Sequence, residues 1–452
     1  MKKIKKILLL GMVFSILFAC IACTNSGGST ETTAKNSAAA KEDGTTAADA
    51  DDNDDVADSD VSLILAMMGD GSQKPTLDAL LEKYKEETGI SVESIYIAGG
   101  WGVYCTKIQT MVGGGDKLDC AIVAIEGIEM FVDMGLAEPI DDYIAANPDV
   151  AKAILDDVTP DLLNPFQFDG KTYTFPFSWN NVIMHFNLDR LEEAGLSMPP
   201  EDWSKEDFLE YCEKLTGEKD GVKQYAVTVP YDQYFVALAW LYNNNAAFMN
   251  DDFTESLINK PESVEIFQLW QDLIYEYGYA PVPEPNVNEI QQMINGQVAM
   301  GAWGRWPTNN YIEAEFDQVA VQYLPNFETN KPIYGVDGIF VMKSSDHVDE
   351  AKKLAGWISS YDFANEYLSV GNIPALRSLA KDKISDLGIP QNYELFFEDT
   401  MPMKAVNAPI QFSECSAIVL RAISEICINQ ADVQQTLDEA AAEMNDVLSV
   451  NK

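Results

Sequence analysis

Residues 61–97, VSLILAMMGDGSQKPTLDALLEKYKEETGISVESIYI, decide the fold class of this chain. The stretch opens with an apolar run that is typical of a buried strand. A helix is predicted over residues 76–87, where four apolar residues share one face: Leu77, Leu80, Leu81 and Tyr84. Gly89 predicts the end of that helix, and residues 90–97 alternate as a second strand does. A strand, a helix and a strand in succession predict a parallel α/β layer.

The same pattern continues along the chain. Residues 120–125 form a third apolar run, and residues 433–448 predict a final amphipathic helix. The glycines at 113–115 follow a predicted helix and precede a strand, which is the reverse of the order in a phosphate-binding loop. We therefore interpret them as a turn that ends a helix.

The charge of the chain excludes whole classes of function. The 452 residues include 72 Asp and Glu against 30 Lys and Arg, which gives a formal net charge of −42. A nucleic-acid-binding protein needs clustered basic residues to neutralise phosphates. The two histidines, His185 and His347, are too few for a histidine-rich metal centre, so we expect no metal site and no cofactor.

The first sixty residues predict a targeting segment followed by a tether. Residues 1–22 begin with four lysines and continue as an apolar run, so we expect a signal peptide. Its end is similar to a bacterial lipidation motif, with Cys23 as the favoured modified residue and Cys20 as the alternative. Residues 23–60 hold ten acidic residues, two lysines and no aromatic residue, which predicts a disordered acidic tether.

The remaining cysteines carry no motif. They are scattered through the body of the chain, without a CxxC pair: Cys105, Cys120, Cys212, Cys415 and Cys427. An exported protein can form disulfides, and the sequence leaves the pairing open. Buried free thiols are the interpretation that we favour.

Several motifs then occur in one order along the body. ETGISV at 87–92 and DGKTYTFP at 169–176 are followed by INGQVAMGAW at 294–303 and by IPALR at 373–377. In this order they resemble the family 1 extracellular solute-binding proteins of ABC importers, which include maltose- and oligosaccharide-binding proteins. The resemblance covers most of residues 61–452.

The resemblance implies an α/β fold of the two-lobed, periplasmic-binding-protein type II kind. The chain would cross a three-segment hinge, and the ligand cleft would lie between the lobes. By this analogy residues 61–177 and 328–374 form the N-lobe, and residues 182–324 and 375–452 form the C-lobe.

The resemblance also indicates candidate ligand contacts. A sugar site combines aromatic rings, which stack on C–H faces, with carboxylates and amides, which bind hydroxyls. We expect ligand-binding residues at these positions: Trp101, Asp119, Trp179, Asn180, Tyr231, Trp240, Trp303, Trp306 and Asp337. Packing in the core is the competing interpretation for each tryptophan, and especially for Trp240.

The implied function is capture of a carbohydrate outside the cell by cleft closure, followed by delivery to the permease of an ABC importer. We expect a monomer held on the outer face of the membrane by its lipid, without catalytic activity. A binding protein for a non-sugar solute and a secreted glycoside hydrolase remain the alternatives. A glycoside hydrolase needs two carboxylates at a suitable distance from each other. Among 72 acidic residues some pair meets that requirement by chance, so the number of acids does not support a hydrolase.

Overall fold

The structure is a computed structural model that describes residues 60–69, 71–285, 287–329, 331–368, 371–384, 388–397 and 403–450. The expected signal peptide, the two candidate lipidation cysteines and all but the last residue of the expected tether lie outside these ranges. Within the described residues, no helix has both the length and the apolar character that crossing a bilayer requires.

The described residues form fifteen strands. Their bounds are β1 (Ser62–Met68), β2 (Ser91–Ile97), β3 (Cys120–Ala124), β4 (Ala137–Glu138), β5 (Gln167–Phe168), β6 (Lys171–Thr172), β7 (Pro176–Asn180), β8 (Ile183–Asn187), β9 (Gly217–Lys219), β10 (Val222–Val227), β11 (Val298–Trp303), β12 (Val319–Gln322), β13 (Ile333–Met342), β14 (Ile373–Pro374) and β15 (Lys404–Ala405).

Seventeen α-helices accompany the strands in the described ranges. Their bounds are α1 (Lys74–Thr88), α2 (Trp101–Gly113), α3 (Ile125–Asp133), α4 (Asp141–Ala146), α5 (Pro148–Leu155), α6 (Pro160–Leu163), α7 (Leu188–Glu193), α8 (Lys205–Leu215), α9 (Tyr234–Asn243), α10 (Pro261–Tyr275), α11 (Glu289–Ile294), α12 (Thr308–Glu313), α13 (Val348–Ile358), α14 (Tyr361–Tyr367), α15 (Arg377–Ile384), α16 (Phe412–Cys427) and α17 (Val433–Leu448). Two short 3₁₀ helices, Asn164–Phe166 and Tyr393–Phe396, complete the set.

The opening βαβ prediction is confirmed. Strand β1 pairs in parallel with both β2 and β3, and α1 connects β1 to β2. The four predicted apolar residues of α1 are buried. Gly89 ends the helix with a φ of 75°, a left-handed conformation that glycine adopts without a steric penalty. The predicted final helix is also confirmed, at Val433–Leu448.

The strands divide between two main sheets. An eight-stranded sheet has the order β14-β7-β13-β3-β1-β2, with β4 and β15 also paired to β13. A five-stranded sheet has the order β12-β8-β11-β10-β9. Each sheet is packed against its own hydrophobic core, and we call the two units the first lobe and the second lobe.

The chain passes between the sheets at several points. It leaves the first sheet after β7, enters the second at β8, and returns from β12 to β13. After β15 the chain runs into α16 and α17, which pack in the second core. Leu376 and Leu379 pack in the first core, although the expectation assigned residues 375–452 to the C-lobe. The short strand β14 pairs with β7 and holds this segment against the first lobe.

The five cysteines of the described ranges are buried and free, as the sequence favoured. Burial raises the pKa of each thiol, which keeps these groups protonated and apolar in character. Cys105 also restricts a neighbour, because a Cβ added at Gly127 would lie 2.6 Å from its Sγ atom. These cysteines therefore act as packing residues.

Candidate functional site

A cavity of about 940 Å³ lies between the two lobes. Its first-lobe wall comes from α2, the start of α3, and the strands β7 and β13. Its second-lobe wall comes from the start of α9, from Trp306 and from α16. We call it the interlobe cavity. Its volume is within the range of pockets that enclose small molecules.

Aromatic side chains supply its apolar surface. Trp101 lies at the start of α2 and contacts the cores of both lobes. Its ring meets that of Tyr104 edge-to-face, at a centroid distance of 5.6 Å. Phe235 and Trp306 are half-buried on the second lobe and line the same cavity. Both lobes therefore contribute aromatic side chains to the cavity wall.

A hydrogen-bonded polar group lies along the first-lobe wall. The Ser178 hydroxyl donates to Asp337, with 2.8 Å to each carboxylate oxygen. The Asn372 amide donates to Ser178 Oγ at 3.2 Å, and the Asn180 amide donates to Asn372 Oδ1 at 2.9 Å. Asn180, Asn372 and Asp337 all line the interlobe cavity. This wall can exchange hydrogen bonds with a polar ligand.

Arg305, on the second lobe, donates hydrogen bonds to two residues of this polar cluster. Its guanidinium donates to the Asn372 carbonyl at 2.8 Å, and its backbone N–H donates to Asn180 Oδ1 at 3.1 Å. The guanidinium also lies over the Phe397 ring, 5.6 Å from its centroid. Burial lowers the pKa of Arg305 to about 10, so the group stays charged at neutral pH. Arg305 therefore fixes the polar wall in place.

Two buried carboxyl groups have pKa values above the usual range for acidic side chains. Burial raises the pKa of Asp337 to about 7, although the Ser178 hydrogen bonds act in the opposite direction. Burial also raises the pKa of Glu126 to about 7, and the negative charge of nearby Asp337 adds to the rise. Glu126 is 4% exposed, lines the cavity and has an Oε2 atom without a hydrogen-bond partner among the described residues.

Four of the nine predicted site residues line the interlobe cavity: Trp101, Asn180, Trp306 and Asp337. They come from four separate parts of the chain and from both lobes. The fold therefore brings together residues that the sequence placed as far apart as 101 and 337.

Three others are structural. Trp240 and Trp303 are each 1% exposed and pack in the hydrophobic cores. Asp119 accepts the Ile64 N–H at 2.8 Å and the Ser345 hydroxyl at 2.5 Å, so its carboxylate links β1 to the segment that follows β13. We correct the expectation for these three residues, because each is committed to packing or to hydrogen bonds inside one lobe.

The last two lie elsewhere. Trp179 is half-buried and packs against apolar clusters outside the cavity. Successive strand residues face opposite sides of a sheet, so Trp179 points away from the side of Ser178 and Asn180. Tyr231 lines a second cavity of about 410 Å³, and its hydroxyl donates to the Glu284 carbonyl at 3.3 Å.

The structure adds cavity residues that the sequence did not indicate, chiefly Glu126, Phe235 and Asn372. One signal was available for Glu126, which follows the buried strand β3 at its carboxyl end. In α/β sheets, ligands bind beyond the carboxyl ends of the strands. For Phe235 and Asn372 the sequence offers no comparable signal.

Comparison with known proteins gives one family match. Residues 70–363 match the model of a family described as bacterial extracellular solute-binding protein. A maltotriose-binding protein of Pyrococcus abyssi is 25% identical over 284 residues, which are 61% of this chain and 58% of that protein.

Solved structures share the fold. An ABC substrate-binding protein of Listeria monocytogenes, in complex with cycloalternan, matches with a TM-score of 0.76 and 22% identity, covering 86% of this chain and 99% of that chain. A Thermotoga lettingae solute-binding protein bound with α-D-tagatose matches with a TM-score of 0.75 and 20% identity, covering 86% of this chain and 100% of that chain. The expected two-lobed α/β fold is thereby confirmed.

Proposed function

The chain belongs to the bacterial extracellular solute-binding protein family, and from this premise we propose that it captures a carbohydrate in the interlobe cavity and delivers it to an ABC permease. The observation that carries the proposal is the composition of the cavity wall. Trp101 and Trp306 line the cavity from opposite lobes, together with the carboxylate of Asp337 and the amides of Asn180 and Asn372.

This combination suits a sugar better than a wholly apolar solute. Sugar C–H faces pack on aromatic rings, and sugar hydroxyls exchange hydrogen bonds with carboxylates and amides. A buried donor or acceptor that loses its partner costs about 1–3 kcal/mol, so polar groups of the wall select a polar ligand.

Capture requires contacts with both lobes. A ligand shifts an equilibrium between open and closed states only through its different affinity for the two states. Trp101 belongs to the first lobe and Trp306 to the second, and both line the same cavity. The lobes already touch where Ser413 of α16 donates to the Gly102 carbonyl of α2 at 3.2 Å.

The N-terminal segment supports an exported, anchored protein. We propose that Cys23, or alternatively Cys20, carries a lipid that holds the protein on the outer face of the membrane. Residues 23–60 would then be the tether between lipid and lobes. The protein would act as a monomer and pass its ligand on unchanged.

A glycoside hydrolase is the enzymatic rival, because Glu126 and Asp337 are two carboxyl groups in one cavity. Hydrolases place their two acids on either side of the scissile bond. Here Asp337 lies opposite Ala124 in the β13–β3 pairing, and Glu126 follows two residues later. The two acids therefore share one wall, which favours binding over hydrolysis.

A melting-temperature screen tests the proposal. Sugars, peptides, polyamines and anions are added separately to the protein. A ligand at a hundred times its Kd stabilises the folded state by about 2.7 kcal/mol, so a true ligand raises the melting temperature. We expect only sugars to do so, with no new product by chromatography. A shift caused only by peptides, polyamines or anions contradicts the carbohydrate assignment, and sugar turnover supports the hydrolase.

A further inference from the structure

Acidic side chains outnumber basic ones in the lining of the interlobe cavity. Three are acidic, namely Glu126, Asp232 and Asp337, and among the described residues Lys107 is the only basic one. Glu126 and Asp337 are 4% and 6% exposed, whereas Lys107 and Asp232 are exposed to solvent. The deep part of the cavity is therefore acidic, and the one basic residue lies at its exposed part.

The two deep acids form a pair. Asp337 faces Ala124 across the antiparallel β13–β3 pairing, and Glu126 lies two residues beyond Ala124. The negative charge of Asp337 raises the pKa of Glu126, so the two acids disfavour simultaneous ionisation, in addition to the cost of burial. Ser178 satisfies Asp337. Glu126 keeps one oxygen, Oε2, without a donor among the described residues.

The titratable groups that interact with the pair do not neutralise it, and the charged Arg305 guanidinium donates to the Asn372 carbonyl and to neither acid. Cys105 and Tyr234 interact with Glu126, and Tyr367 interacts with Asp337. Burial raises the pKa of all three well beyond neutral pH, so they remain uncharged. The backbone N–H of Glu126 at the start of α3 offers partial compensation.

We propose that the ligand supplies the missing positive charge: it is an amino sugar whose ammonium group binds at the Glu126–Asp337 pair while its ring packs against Trp101 and Trp306. This inference rests on the proposed function and narrows its ligand class.

The chemistry of an ammonium group fits each feature of this wall. It is a donor without acceptor capacity, so it suits a carboxylate that lacks a donor. Its charge offsets the repulsion between two buried acids, and a desolvated cation near aromatic rings gains a further attraction. A neutral sugar gives hydroxyl donors but leaves the charge of the pair uncompensated when the cavity closes.

Calorimetric titration with matched sugars tests the proposal. Glucosamine, galactosamine, mannosamine and the glucosamine disaccharide are compared with their N-acetylated forms and with glucose, galactose, mannose and cellobiose. At pH 7 we expect at least one amino sugar to bind about tenfold or more tightly than both its N-acetylated and its neutral counterparts, a difference of about 1.4 kcal/mol.

Two variants assign the effect to the acid pair. Glu126→Gln keeps the shape of the side chain and removes its charge, so we expect the amino-sugar preference to fall to about threefold or less. Glu129→Gln is the matched control: it removes a charge from the same helix, outside the cavity lining, and we expect the full preference to remain. Thermal unfolding without ligand checks that both variants are folded.

The outcomes separate this inference from the proposed function. If neutral sugars bind as tightly as amino sugars, the proposed function stands and the charge inference is wrong. If Glu129→Gln lowers the preference as much as Glu126→Gln does, the preference reflects overall charge and the pair is not its source. If no sugar of either kind binds, both proposals fail.

Discussion

Ser178 and Asp337 face each other across the β7–β13 pairing, and the serine hydroxyl lies 2.8 Å from both oxygens of the aspartate. The contact joins the strand at which the chain first leaves the first lobe to the strand at which it returns. A buried carboxylate is thus held in the cavity wall by a residue that does not itself line the cavity.

Removing that hydroxyl should destabilise the protein in a pH-dependent way. Ser178→Ala leaves the Asp337 carboxylate without its side-chain donor, which we expect to cost about 1–3 kcal/mol at pH 8. At pH 5 the carboxyl is protonated, because its pKa is about 7, and the loss should shrink. Urea unfolding at both pH values measures the effect. Ser263→Ala, which removes a buried hydroxyl bonded to the Leu257 carbonyl, should show no such pH dependence.

Glu126 should oppose folding as the pH rises. Its pKa is raised from 4.5 to about 7 in the folded protein, so between these values the folded state holds a proton that the unfolded state has lost. The contribution of Glu126 to the free energy of unfolding therefore falls as the pH increases through this window. We expect Glu126→Gln to gain stability relative to the wild type by more than about 1 kcal/mol between pH 5 and pH 8. An unchanged difference across the window would show that Glu126 titrates normally.

Trp101 should matter for affinity more than an exposed tyrosine outside the cavity does. Trp101→Ala removes an aromatic face that contacts both cores and the cavity. We expect the Kd for the best sugar of the screen to rise at least about tenfold, equivalent to about 1.4 kcal/mol. Tyr277→Ala is the control, since Tyr277 is 44% exposed and does not line the cavity. Equal effects of the two variants would argue against a ligand contact by Trp101.

The proposed anchor predicts a specific mature N-terminus. Intact mass spectrometry of the membrane fraction should find a chain that begins at Cys23 and carries a lipid. Cys23→Ser should abolish this species, whereas Cys20→Ser should leave it in place. A chain that begins at Cys20 supports the alternative site, and an unlipidated chain that begins at another residue contradicts the anchor.

Local patterns of the sequence predicted the opening elements, the last helix and the α/β class, whereas the two-lobed arrangement was implied by the family resemblance. The helix ending at Gly89 and the apolar strands around it depend on residues that are near one another in the chain. Helical and strand periodicities are properties of such short stretches, so they can be read without the tertiary structure.

The sequence was a poorer guide to which residues line the interlobe cavity than to secondary structure, as two tryptophans show. Trp303 and Trp306 are three residues apart in one glycine-containing stretch, yet the first is in the core and the second in the cavity wall. Trp303 still belongs to β11, and its ring covers Gly301 so closely that an added Cβ there would lie 2.0 Å from a ring atom. The sequence does not reveal at which residue that strand ends.

Glu126 illustrates a second limit. Burial raises its pKa, and the negative charge of Asp337, which is distant in the chain, raises it further. In the sequence it is one of 72 acidic residues. Its position after the carboxyl end of β3 is the one signal in the sequence, and its burial becomes visible only in the folded chain.

A crystal structure of the protein with the sugar that gives the largest rise in melting temperature tests the proposed ligand site. We expect the sugar to lie between Trp101 and Trp306, with at least one of its polar groups within hydrogen-bond distance of Asp337 or Glu126. A sugar bound elsewhere, for example in the cavity beside Tyr231, with none in the interlobe cavity, would show that the proposed ligand site is wrong.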